Sequence, residues 1–277
     1  MKRVALLVFS LIATTPTFAG GGASDWAEGF GYKARLIEGK RDSDGSYQAG
    51  LQISLEEGWK TYWRMPGENG IPPDFKFGAS ENLQNAEVHW PAPILFQDIY
   101  GTSVGYQNDV VLPITIKSET DQTPVTLNLQ AFFGVCAEVC VPAQVDLEVA
   151  LDSDATQKTK SYMIDDALTK VPSTDSRTDF AVTSAEIKEH DVDERIALSI
   201  KVPTDVSRLT ILTEGPEDWF VDPFEVDLNE NAKDQAGELD IDLPLYRLIK
   251  EPLLGDEKLR ITLVSEKTSV ETTVRLN

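Results

Sequence analysis

The sequence predicts an all-β protein in which two antiparallel β-sandwich domains are joined by a short helical linker. Short runs of alternating apolar and polar residues, the pattern of half-buried strands, occur on both sides of residue 152. Clusters of glycine, proline and asparagine separate these runs, and helical periodicity is confined to residues 152–176. The chain of 277 residues is long enough for two domains of about 100–150 residues each.

The first 19 residues have the features of a secretory signal peptide. Lys2 and Arg3 form a basic start, residues 4–13 are apolar, and residues 17–19 provide a small-x-small cleavage site. The apolar run is shorter than the roughly 20 residues that a membrane-spanning helix needs, and no later run reaches that length. We therefore expect cleavage after Ala19, export to a bacterial periplasm, and a mature chain that is not inserted in the membrane.

Residues 20–151 form the first predicted domain, which begins with a flexible glycine-rich segment. In each predicted strand the apolar residues alternate with others, so that one face of the strand can be buried. Turn signals between strands are strongest at Pro66–Pro73 and Trp90–Pro93. The predicted strands are Tyr47–Leu55, Ala86–Trp90, Val110–Ile116, and two runs that flank the cysteines, Val125–Phe133 and Val145–Leu151.

Residues 152–176 are predicted to form the linker helix, and residues 177–277 the second sandwich. Asp154 is the candidate N-cap and Pro172 the helix end, with an extended polar linker as the alternative. The second domain contains no cysteine, so we assign it a spacing or docking role. The apolar stripe of the helix is Met163, Ile164, Ala167, Leu168 and Val171, and the second-domain strands lie around Ile196–Val202, Leu209–Ile211, Leu239–Leu243, Leu259–Leu263 and Val270–Leu276.

The net charge of −21 limits the classes of partner. Nucleic acids and anionic membranes are bound by basic surfaces, so the composition argues against both. The acidic surface either keeps the protein soluble or matches a more basic partner protein.

The only two cysteines, Cys136 and Cys140, lie between two strand-like runs that would form a hairpin. In an exported protein they would most simply form one disulfide. Closing a loop of about five residues stabilises a fold by only ~2 kcal/mol, against ~4.7 kcal/mol for a loop of about 100 residues. Exposed disulfides are also the easily reduced ones. The spacing alone leaves a structural staple and a redox pair equally open.

Other chemistry finds little support in the sequence. Neither His89 nor His190 has a partner at the spacing of a catalytic triad or a zinc site. A metal site of His89 with the cysteines would lack a fourth ligand, although copper handling by the two thiols and Met65 stays an alternative. We predict no cofactor and no resident metal.

Several short motifs occur in a distinctive order. They are Tyr62–Gly67 with Gly70–Pro73, Val88–Pro93, Gly105-Tyr106, Val110–Ile114 and Val135–Ala143. This ordered set resembles the amino-terminal periplasmic domain of the DsbD/ScsB thiol:disulfide interchange proteins, over roughly residues 30–151. Residues 155–277 resemble, more weakly, the second immunoglobulin-like module of the ScsB type. The resemblance implies that both domains have an immunoglobulin-like fold.

The same resemblance implies a protein-disulfide reductase-like activity. Cys136 and Cys140 would be the redox pair, and Cys140 would form the mixed disulfide with partners. Electrons would arrive from a membrane-embedded thiol donor and leave to a periplasmic thioredoxin-like or other disulfide substrate protein. The transmembrane and terminal domains of the full-length family members have no counterpart in these 277 residues, so we expect donor and acceptor to be separate polypeptides. A non-enzymatic adaptor with a structural disulfide is the alternative.

The family shields its cysteines with a cap loop that carries two acids, an aromatic residue and then Tyr-Gly. The matching stretch, residues 97–101, keeps one acid and lacks the cap aromatic. Asp98 is therefore the candidate for proton transfer, and Ile99 or Tyr100 for covering the sulfurs. Tyr62 and Trp63 are candidates for the floor of the site, with ordinary core packing as the alternative for these aromatics.

Overall fold

The computed structural model describes residues 22–98, 101–121, 123–152, 160–175, 179–189, 194–228, 237–249 and 257–276. The predicted signal peptide lies outside these residues. In the described ranges the strands form antiparallel sheets, and the prediction of an all-β fold is confirmed. No helix in these ranges has the length and hydropathy required to cross a membrane.

The first sandwich is built from eleven strands among the described residues. They are β1 (Ala27–Gly29), β2 (Tyr32–Arg41), β3 (Tyr47–Leu55), β4 (Lys60–Gly67), β5 (Asp74–Lys76), β6 (Leu83–Val88), β7 (Ile94–Asp98), β8 (Gly101–Gln107), β9 (Asp109–Ser118), β10 (Val125–Cys136) and β11 (Cys140–Leu151). One sheet has the order β1-β2-β3-β9-β6, and the other has the order β11-β10-β4-β8-β7, with β5 paired to β10. Apolar side chains of both sheets share one core.

The second sandwich follows a helix, α1 (Ser161–Thr169). Its strands are β12 (Ala181–Glu189), β13 (Glu194–Lys201), β14 (Arg208–Glu214), β15 (Trp219–Phe220), β16 (Phe224–Asp227), β17 (Glu238–Arg247), β18 (Lys258–Ser265) and β19 (Ser269–Arg275). The sheets β12-β13-β17-β15 and β16-β14-β18-β19 enclose a second core. Leu212 of β14 is fully buried and belongs to the core of the first sandwich, so the two sandwiches are packed together.

Helix α1 lies against the outer face of the first sandwich. Ile164 is buried there, and glycines on the sheet make room for it: a Cβ at Gly39 or Gly50 would come within 2.9 or 3.1 Å of its side chain. The segment after the helix is tied to both sandwiches, because Ala92 N donates to Lys170 O (2.8 Å) and Ser173 N donates to Ser269 O (3.0 Å).

Two local predictions differ from the structure. The helix begins at Ser161 with Lys160 at the N-cap, and the proposed cap Asp154 lies outside the described residues. The strand predicted at Ala86–Trp90 is Leu83–Val88. His89 N still donates to Pro113 O (2.8 Å), but Pro113 has no N–H to donate in return, so the ladder ends there. The predicted domain boundaries remain predictions.

Candidate functional site

The cysteines are brought together by a long, regular hairpin. Strands β10 and β11 pair without a register shift from Val125 opposite Leu151 to Cys136 opposite Cys140. At the turn end of this ladder the two Cα atoms are 4.1 Å apart, and the sulfurs are joined by a disulfide of 2.05 Å. Twelve-residue strands with alternating buried side chains hold this end in place.

The two sulfurs lie in different environments. Cys136 is 1% exposed. Its strand, β10, pairs with β4 in the same sheet, where Lys60 lies directly opposite Cys136. Cys140 is an exposed residue at the start of β11, which is the edge strand of its sheet. Cys140 is therefore the more accessible of the two residues, whereas Cys136 is screened.

The hydroxyl of Tyr62 is directed at the disulfide. It donates a hydrogen bond to Cys136 Sγ (2.7 Å) and lies 3.4 Å from Cys140 Sγ. Tyr62 is 4% exposed, and its ring lies close to β10 at Gly134, where there is no side chain. A Cβ at Gly134 would come within 2.9 Å of the Tyr62 ring and 2.6 Å of Ile71.

A cavity of about 440 Å³ lies beside the disulfide. Its lining includes Cys136, Trp59, Lys60, Phe96 and Gln97. The ammonium of Lys60 donates to Ser103 Oγ (3.0 Å) and lies 5.1 Å from the centre of the Phe96 ring. The cavity that Cys136 lines thus also contains a cation and aromatic surface, and a cation close to a thiol favours its thiolate form.

The apolar rim of this cavity continues onto the outer surface. Phe30 is 68% exposed and packs edge-to-face on Trp59, with ring centres 5.0 Å apart. Val139, at the tip of the cysteine hairpin, is 60% exposed. Exposed aromatic and aliphatic side chains around a reactive group are suited to contact with another protein.

Comparison with known families identifies the first part of the chain. Residues 33–152 match the family model described as thiol:disulfide interchange protein DsbD, N-terminal. This part of the chain is similar to a DsbD-type N-terminal domain. The matched range, less than half of the chain, contains both cysteines and Tyr62, and the recognition made from the motifs is confirmed.

The fold of the whole chain also has a counterpart among solved structures. The crystal structure of the N-terminal periplasmic domain of ScsB from Proteus mirabilis is similar with a TM-score of 0.69 and 20% identity, over 93% of this chain and 99% of that chain. This likeness extends over both sandwiches and supports the predicted immunoglobulin-like fold. A comparison with curated proteins gave no match.

The two aromatic residues assigned to the floor of the DsbD-type site are separated by the structure. Tyr62 contacts the sulfurs, whereas Trp63 is fully buried in the core of the first sandwich. Neighbouring residues of a strand point to opposite faces, so only one of the pair can face the disulfide. Trp63 is therefore a core residue, and its assignment to the floor was wrong.

The described residues of the predicted cap belong to the end of β7 and the start of β8. Gln97 lines the cavity, and Asp98 pairs through its backbone with Gly101. The side chain of Asp98 and the whole of Ile99 and Tyr100 lie outside what the structure describes. Their roles in proton transfer and in covering the sulfurs stay predictions.

Lys60 and Phe96 are site residues that the sequence analysis missed. Lys60 precedes Tyr62 by two positions, so the alternation of a strand would have placed both on one face. Phe96 belongs to β7, which was not predicted as a strand. Its place at the cavity depends on the pairing of β7 with β8, for which the sequence carries no local signal.

The metal site of His89 with the cysteines receives no support from the described residues. Among them, no group of three or more histidine, cysteine or acidic side chains could hold a metal ion. The ring of His89 bonds Thr115 Oγ1 (2.7 Å), and Thr115 lies in the sheet that does not contain the cysteines. Met65 packs against the core of the first sandwich.

Proposed function

We propose that this protein is a periplasmic thiol:disulfide interchange protein that relays two electrons through Cys136 and Cys140. The donor is a membrane-embedded thiol protein, and the acceptors are periplasmic disulfide proteins. The observation that carries the proposal is the asymmetry of the disulfide: Cys140 is exposed on an edge strand, while Cys136 is buried with the Tyr62 hydroxyl on its sulfur. The DsbD-type match of residues 33–152 supports the reaction class.

Reduction of the disulfide begins at the exposed sulfur. A thiolate of the donor attacks Cys140 Sγ, a new S–S bond forms, and the Cys136–Cys140 bond breaks. The electron pair of that bond goes to Cys136 Sγ, which leaves as a thiolate. The Tyr62 O–H already points at this sulfur and stabilises the developing charge. The second thiol of the donor then attacks the mixed disulfide and releases Cys140, so the donor leaves oxidised.

Delivery to a substrate reverses the roles of the partners. The Cys140 thiolate attacks a sulfur of the substrate disulfide, and the other substrate sulfur leaves as a thiolate. Cys136 then attacks Cys140 Sγ, restores the internal disulfide and releases the reduced substrate. Two electrons pass to the substrate, and its two sulfurs take up protons from water or neighbouring acids. The buried cysteine is the resolving one because an external thiol does not reach it.

The site geometry also supports a reaction that requires a docked partner. Both cysteines lie at strand ends, without a helix N-terminus to favour a thiolate, and the exposed Glu138 between them opposes negative charge. The exposed side chains of Phe30 and Val139 provide contact surface for a partner that brings its own activated sulfur.

A trapping experiment tests the proposal. In Cys136→Ala, Cys140 forms mixed disulfides with partners but cannot be released, so adducts that dissociate with dithiothreitol should accumulate in the periplasm. Cys140→Ala is the matched control and should trap nothing, because the remaining sulfur is screened. Equal trapping by both variants, or by neither, would refute the assignment of roles.

A further inference from the structure

A side chain that follows Tyr62 on β4 connects the redox site to the second sandwich. Arg64 Nε lies 3.0 and 3.1 Å from the two carboxylate oxygens of Glu214, and Nη2 lies 2.6 Å from Glu214 Oε2. Nη2 also donates to Glu271 Oε2. Because β14 and β19 carry these carboxylates, the hydrogen bonds cross from one sandwich to the other.

The ion cluster is largely withdrawn from solvent. The side chains of Arg64, Glu214 and Glu271 are 16%, 21% and 20% exposed. Burial opposes the charge of Arg64, but the two carboxylates outweigh it and raise its pKa above the ordinary value. Arg260 lies 3.9 Å from each carboxylate, so two cations face two anions. Such a buried, multiply bonded arginine holds its strand in one place.

The backbone of β4 leaves its regular ladder with β8 next to this anchor. Its regular pairing with β8 runs through Tyr62 opposite Gly105 and then shifts, so that the next pair is Gly67 opposite Ser103. Directly after Tyr62, the ladder with β8 therefore does not fix the strand. This stretch is held by Trp63 and Met65, which pack in and against the first core, and by the bonds of Arg64 to the second sandwich.

Strand β14 anchors the first sandwich in a second way. Leu212, two residues before Glu214, is fully buried among the core residues of the first sandwich. One strand of the second sandwich thus supplies an apolar contact and an ionic contact to the sandwich that contains the disulfide.

We propose that Arg64, with Glu214 and Glu271, is a positioning residue for disulfide exchange: the second sandwich holds β4 so that the Tyr62 hydroxyl stays on the sulfur of Cys136. This inference rests on the proposed function. It gives the second sandwich, to which the sequence assigned only spacing or docking, a part in the chemistry.

The test measures how fast dithiothreitol reduces the Cys136–Cys140 disulfide. Arg64→Met should slow reduction about threefold to tenfold, because it weakens the hydrogen bond from Tyr62 to the charged sulfur of Cys136 without removing the hydroxyl. In a Tyr62→Phe background the same substitution should cause no further slowing, because both changes act through one hydrogen bond. Glu271→Gln is a milder variant that keeps the bonds to Glu214 and decides the question if Arg64→Met does not fold.

A matched control is available within the second sandwich. Arg247 pairs with Glu194 through Nε (2.7 Å), the two side chains are 7% and 17% exposed, and the guanidinium lies 5.9 Å from the Trp219 ring. Arg247→Met should lower Tm as Arg64→Met does, but it should leave the reduction rate unchanged.

Two results would overturn the inference. One is an unchanged reduction rate in Arg64→Met together with a lowered Tm, which would make Arg64 merely structural. The other is equal slowing with and without the Tyr62 hydroxyl. Because dithiothreitol requires no protein partner, a chain that traps no partner would refute the proposed function without deciding this test.

Discussion

Removal of the Tyr62 hydroxyl tests the chemistry of the site most specifically. A hydrogen bond to a charged group contributes about 1.5–3 kcal/mol, and one between neutral groups about 0.5–1.5 kcal/mol. The hydroxyl bonds the sulfur of Cys136 in the disulfide and would bond its thiolate in the reduced protein. Tyr62→Phe therefore destabilises the reduced form by the difference, about 1–1.5 kcal/mol.

This difference makes the disulfide harder to reduce. Since ~30 mV corresponds to ~1.4 kcal/mol for a two-electron couple, the reduction potential should fall by about 20–30 mV. Reduction by dithiothreitol should be roughly fivefold to tenfold slower, since a factor of ten in rate corresponds to ~1.36 kcal/mol. Equilibration with dithiothreitol or glutathione, followed by alkylation and mass measurement of the free thiols, gives both values.

Tyr106→Phe is the matched control for this experiment. Tyr106 is buried in the same sandwich and donates to Pro91 O (2.8 Å), away from the sulfurs. Its replacement should lower stability by about 0.5–1.5 kcal/mol without altering the potential. An unchanged potential and rate in Tyr62→Phe, or equal changes in both variants, would refute the role of the hydroxyl.

Three further predictions concern the surroundings of the disulfide. Gly134→Ala should lower the free energy of unfolding by about 1–3 kcal/mol and slow reduction, because the added Cβ displaces the Tyr62 ring. Thermal unfolding and the rate of reduction by dithiothreitol measure the two effects, and wild-type values of both would contradict the packing argument. Lys60→Met should slow reduction in low salt. The difference in rate from the wild type should be smaller at about 1 M salt, where charges are screened beyond ~3 Å. An effect that does not depend on salt would exclude an electrostatic cause. Burial raises the pKa of Tyr106 well above its usual value of 10.0, so its contribution to stability is complete below pH ~10 and is lost as pH rises above that value. In urea unfolding from pH 8 to 11, the free energy of unfolding should therefore decline less steeply in Tyr106→Phe than in the wild type. Parallel curves would contradict this.

The parts of the fold that the sequence predicted are those with a local cause. Strand β3 was placed at Tyr47–Leu55 because its apolar residues alternate and turn residues bound it. The cysteine hairpin followed from alternation on both sides of a short turn, and the structure contains this hairpin. The helix was foreseen from its apolar stripe, but its start was not, because Lys160 provides no capping side chain.

The parts that were not predicted depend on contacts between distant segments. The motif containing Tyr62 and Trp63 indicated aromatic residues near the cysteines, yet only the pairing of β4 with β10 decides which ring faces them. The link from Arg64 to Glu214 joins residues 150 positions apart and has no sequence pattern of its own. The same holds for Leu212, which an alternating strand pattern would place in its own domain.

The reduction potential of the Cys136–Cys140 pair tests the central claim most directly. An exposed disulfide that opens and closes during the reaction should have a potential above about −300 mV, within reach of thiol proteins such as thioredoxin at ~−270 mV. A value well below about −300 mV, where structural disulfides of secreted proteins lie, would contradict the redox role and leave a staple at the end of a hairpin.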